Sequence, residues 1–222
     1  MRHAGVVDLL DVAQELYALL PAGFTAERNA RAKDLKGTDA DLAAQVKALP
    51  KPTTAAWLVN QLVRHHGEEV EQVTQIGAAL REAQEGLEKD QLLQLNKQRQ
   101  AVLRAVTRQA RALSSELGNP VSTAIADEVE QTLRAVMADP AAAQGVRTGT
   151  LLRSLSSTGF GEVDLTDAVA VPDALPGRGR RPAAPLTSAR TSSQPTGTAS
   201  RTSHAKDELG ERRRQHERER KE

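Results

Sequence analysis

Three groups of side chains in this sequence have types and spacings that could do chemistry. His65 and His66, followed by Glu68 and Glu69, put four metal-ligating side chains within five residues. Adjacent positions on a helix point about 100° apart, so the two imidazoles do not converge on one ion, and solvated side chains at a helix end are expected instead. Paired acids occur at Glu68/Glu69 and at Asp127, Glu128 and Glu130. Acid–base catalysis requires two carboxylates in one cleft with separated pKa values, whereas acids near helix N-termini are accounted for by the helix dipole. The third group is basic. Lys97, Arg104, Arg108 and Arg111 follow one another at steps of seven, four and three, which aligns them on one helical face opposite an apolar stripe. Such a ridge can track phosphates; the competing reading is a solvated bundle face.

Motifs specific for catalysis are absent from the sequence. Gly177-Arg178-Gly179 lacks the strand and helix that a nucleotide-binding loop requires, and no GxSxG, HExxH or EF-hand pattern occurs. Without cysteine there is no disulfide, thiol nucleophile or thiolate metal site. No catalytic residue, metal or cofactor is therefore expected, and the chain reads as a non-enzyme. Asp8, Asp11 and Glu15 interrupt the first apolar stretch, which a secretory signal would not tolerate, and no run approaches the ~18 apolar residues of a membrane span. The expectation is a cytoplasmic protein with no membrane partner.

The elements that must carry these groups are helical. Aromatics are only 2% (Tyr17, Phe24, Trp57 and Phe160) while Ala, Leu, Gln, Glu and Arg abound, a bias against strands and against base-stacking platforms. Apolar spacing predicts a helix over 6–20 with Leu20 in its stripe, ended by Pro21 and Gly23. A second covers 25–36, with Thr25 as N-cap and Gly37 as stop; a third covers 39–49, capped by Thr38. Pro50-Lys51-Pro52 forms a corner, after which Thr53 caps a helix to about 66, and Gly67 marks a bend. Two long helices follow, 68–87 and 89–117, each with an apolar stripe suited to antiparallel packing. Ser122 or Thr123 opens another to 138, and Pro140 starts a short pair, 141–146 and 150–155. The fold class is all-α: a bundle of about seven to nine helices with two long antiparallel helices, followed by a disordered tail.

Composition divides the chain. Residues 1–160 read as a helical domain with 18 Lys and Arg against 19 Asp and Glu, so the folded part is electrically neutral. Residues 161–206 hold much Pro, Ser, Thr and Arg and read as a disordered linker. Residues 207–222 are charged and could form a solvent-exposed helix.

The segment from Leu49 to Leu62, with Lys51-Pro52-Thr53-Thr54-Ala55-Ala56-Trp57 and Val59-Asn60-Gln61-Leu62, resembles the mark of an actinobacterial helical family with a KPTxAAWxVNQL-type motif. Phe24 to Leu35 is similar to the segment paired with it, and Thr132-Leu133-Arg134-Ala135 with Asp139-Pro140 to a later element. The resemblance covers about residues 14–160 and implies a helical fold, with no established activity. Physically the block is a structural hinge: Pro50 and Pro52 force the corner, Thr53 caps, and Trp57 fills a large core gap. Asn60 and Gln61 stand mid-helix beside an apolar face, as buried polar locks or as part of a binding site, with the lock favoured. The leading expectation is a helical interaction or scaffold protein with a protein partner. The alternative is a nucleic-acid-associated protein using Lys97, Arg104, Arg108, Arg111 and the Arg-rich tail.

Overall fold

Side-chain caps decide where most of the helices begin in the computed structural model, which describes residues 8–86, 89–157 and 163–175. Asp8 accepts from Asp11 N and opens α1 (Leu9–Tyr17). Asp39 accepts from Leu42 N and opens α3 (Ala40–Ala48); Thr53 accepts from Ala56 N and opens α4 (Thr54–His65). Ser122 does the same for α7 (Thr123–Ala138) and Asp139 for α8 (Pro140–Arg147). Each satisfies a backbone N–H that the helix itself leaves unpaired. The remaining helices are α2 (Phe24–Leu35), α5 (Gly67–Glu85) and α6 (Lys89–Glu116). Among the described residues the chain is all-α, with eight α-helices, one short 3₁₀ turn and no strand.

Several boundaries differ from the sequence expectation, each for a physical reason. α1 stops at Tyr17, and Leu20 lies outside the apolar stripe at 43% exposure. Thr25 lies inside α2 rather than capping it, because Phe24 already belongs to the helix and stacks on Tyr17 at 5.2 Å. Thr38 turns its hydroxyl back to Leu35 O, leaving the cap of α3 to Asp39. The bend expected at Gly67 falls one residue earlier, at His66, whose φ of −136° and ψ of 45° separate α4 from α5; Gly67 is the first residue of α5.

The largest correction lies past α8. Residues 150–155 were expected to be helical but run extended, with Leu151 bridged to Val169 and backbone bonds from Leu152 N to Ala168 O and from Ala170 N to Thr150 O. Val163, Leu165, Ala168 and Val169 join the main core, and Val171 joins a second one. The packed part therefore continues beyond the boundary expected at 160. An extended strap buries apolar groups without helical periodicity, so the periodicity test does not see it. Residues 158–162 and 176–222, with Phe160, most of the expected linker and the charged C-terminal segment, lie outside the described residues.

Helix α4 is the axis of packing. Ala55, Ala56, Trp57, Leu58, Val59 and Leu62 are all inaccessible, surrounded by α5–α8 and the strap. A smaller core joins Val12, Leu16, Tyr17, Phe24, Leu42 and Val46 of α1–α3 with Leu49 and Val171. α5 and α6 form an antiparallel hairpin, as expected: Glu69 near the start of one meets Gln109 near the end of the other at 3.0 Å.

Gly77 lets α5 approach α7. A Cβ there would fall on the Met137 backbone, 2.6 Å from its Cα and against its carbonyl oxygen, which also accepts from Arg81. Gly77→Ala should gain about 1 kcal/mol of helix propensity and lose more to overpacking against backbone that cannot rotate away. The expected net result is a loss of about 1–2 kcal/mol in urea unfolding; a gain in stability would show that the two helices separate freely.

Candidate functional site

The polar residues of the block around α4 prove to be clasps for backbone that has no other partner. Asn60, 3% exposed, donates from Nδ2 to Leu151 O at 3.0 Å and accepts from Leu151 N at 2.8 Å, standing in for a neighbouring strand. Gln61 donates to Tyr17 O at 3.0 Å and to Ala18 O at 3.2 Å, satisfying carbonyls that the end of α1 leaves orphaned. The corner before α4 is fixed in the same way. Tyr17 Oη donates to Pro50 O at 2.8 Å, Arg28 Nη1 to Leu49 O at 2.8 Å, and Thr53 N to Leu152 O at 2.9 Å. Burial of the Tyr17 ring raises its phenol well above the usual range, so it remains a donor. Pro52 is buried and Pro50 exposed.

Two clasps were missed in the sequence. Thr132 Oγ1 accepts from Leu155 N at 3.0 Å, and Asp139 accepts from Ala141 N with Oδ1 and from Val163 N with Oδ2 at 2.8 Å. Asp139-Pro140 is legible as a helix start, but a second bond to a residue 24 positions on has no local signature. Thr53, Asn60, Thr132 and Asp139 together hold the strap at Leu152, Leu151, Leu155 and Val163.

Of the acid and histidine groups, His66, Glu69 and Glu130 are engaged locally. His66 Nδ1 lies 3.4 Å from Glu69 Oε1, which accepts from Gln109 Nε2; the local backbone N–H, then Gln109, holds that carboxyl below its ordinary range. Glu130 pairs with Arg134 one turn on. No three His, Asp or Glu among the described residues are placed to hold a metal ion. No helix among them is long and apolar enough to cross a membrane.

The basic ridge differs. Lys97, Arg104, Arg108 and Arg111 are exposed on α6, opposite the buried Leu103, Val106, Ala110 and Leu113. Between positions 91 and 115 the helix has five bases and no acid. None of the four ridge side chains has a hydrogen bond or ion pair among the described residues. Among the described residues outside α6 the arginines are occupied: Arg31 by Glu15, Arg134 by Glu130, Arg147 by Glu71, Arg153 by Asp164, and Arg28, Arg64 and Arg81 by backbone carbonyls; Arg99, half-buried on α6 and off the ridge, has no partner either. Before Leu103 no residue of α6 is buried, and Leu93, 64% exposed, lies near the line of the ridge. Beside it, a groove of about 530 Å³ along the α5–α6 seam is lined by uncharged side chains, among them Gln75, Ile76, Leu95, Gln98 and Val102. A second groove of about 530 Å³, between α2 and α3, has Lys33, Lys36 and Lys47 in its lining, with Asp34, Asp39 and Asp41 close to them in sequence.

Comparisons with known proteins give no match to a family model, a curated protein or a solved structure.

Proposed function

We propose that this chain is a non-enzymatic helical interaction protein of the cytoplasm that meets its partner on the outward face of α6. One contrast carries the reading: among the described residues the arginines outside α6 are bound to acceptors of their own chain, while the α6 row stands unoccupied beside an exposed leucine. An exposed charge held by no partner contributes little to stability, so fold alone gives no reason to align four of them. The polar residues of the α4 block are committed to the strap through Asn60 and to the end of α1 through Gln61, which supports a structural role for them. The resemblance to an actinobacterial helical family fits the same proposal, since it implies a helical body and no activity. Photo-crosslinking from α6 in lysate of the native host tests it, with α7 as the control; adducts from α6 alone are expected, and equal yield from both helices would overturn it.

A further inference from the structure

Building on that reading of α6 as the docking face, we infer that its ligand is a nucleic-acid duplex, gripped through the phosphates without regard to sequence. Charge selects a polyanion. Four unoccupied cations lie in one row, and no acid interrupts the helix between positions 91 and 115. Length suits a continuous backbone. From Lys97 to Arg111 is fourteen residues, about 21 Å of helix at 1.5 Å per residue, against 3.4 Å of duplex axis per phosphate on each strand. The row therefore spans about six base pairs, enough for each cation to meet a separate phosphate.

A duplex fits better than a single strand because single-strand binders add aromatic platforms on which bases stack. Tyr17, Phe24 and Trp57 are all buried, at 1% exposure or less, and none lies on α6. The guanidinium forks of Arg104, Arg108 and Arg111 suit bidentate contact with phosphate oxygens. The result is a backbone grip, strong at low salt and weak at high salt.

The test is fluorescence anisotropy of the full chain with labelled duplex DNA, duplex RNA and single-stranded DNA between 50 and 200 mM salt. Four phosphate contacts give a log–log slope of about −3.6 on duplex DNA, a loss of about two orders of magnitude in affinity across that range. Arg104→Glu with Arg108→Glu should abolish this salt-dependent binding, with an unchanged circular-dichroism melt showing that the bundle is intact. The bases at Arg178, Arg180, Arg181, Arg190, Arg201 and Lys206 are controlled by replacing all six with Gln, a variant that should keep the wild-type slope. Loss of binding in the glutamine variant but not in the charge-reversed one would assign the grip to those bases and overturn the inference. Tighter binding to the single strand than to either duplex would also overturn it, as would no binding at 50 mM salt. If no duplex binds while α6 still crosslinks a protein, the inference fails and the docking face stands.

Discussion

Trp57→Ala is expected to lower stability by about 3–5 kcal/mol, the cost of deleting a large ring from a core that cannot close around the gap. The ring is inaccessible and sits on α4, where each residue from Ala55 to Val59 is also inaccessible. Collapse would have to move α5, α7 or the strap, each held by its own contacts with α4. One opposing effect sets the place within that range. No protein acceptor reaches the indole Nε1, and a buried donor without a partner costs about 1–3 kcal/mol. Alanine removes that cost with the ring, so the lower end is expected. Trp57→Phe separates the two effects, because it keeps most of the volume and discards the orphan donor; it should change stability by less than about 1.5 kcal/mol. Urea unfolding with both variants is the check. An alanine variant within error of the parent would show that the ring is not part of the core.

Asn60→Ala should cost about 2–4 kcal/mol. The side chain is the partner of both backbone groups of Leu151, and its removal strands a buried N–H and a buried carbonyl, each worth about 1–3 kcal/mol when unsatisfied. The effect should be local before it is global. Amide exchange at Leu151 should quicken first, followed by Leu152 and Ala170, whose bonds close the same small ladder. Exchange at Leu151 as slow as in the parent would show that another group takes over its hydrogen bonds. Stability loss without local loosening would place the role of Asn60 elsewhere in the core.

The helices were legible because their information is local. Thr53 and Ser122 sit one residue before their helices with free side-chain oxygens, and the apolar spacing of α5 and α6 predicts two long packed rods. Where two polar residues competed for one cap, as Thr38 and Asp39 do, sequence alone favoured the wrong one, since the choice depends on which side chain turns back into the preceding loop. The strap was not legible. Its bonds run from Asn60 to Leu151, 91 positions apart, and from Asp139 to Val163, and its apolar residues follow no period. The close approach at Gly77 was hidden for the same reason: its partner is the backbone of Met137, which has no sequence signature. For the candidate site, the spacing of Lys97, Arg104, Arg108 and Arg111 gave the face. That these cations are unoccupied while the described arginines outside α6 are paired is a property of the folded chain only.

The central claim is that the outward face of α6 is the docking surface. A photoreactive side chain at position 93 or 108 of α6, compared with one at Arg134 on α7, tests it directly. All three sites are exposed, but Arg134 is already engaged by Glu130. After irradiation in lysate of the native host, positions 93 and 108 should give discrete adducts that disappear with Arg104→Glu and Arg111→Glu, and position 134 should give none. Adducts of equal yield from all three positions, or adducts that persist after the charge reversal, would contradict the account.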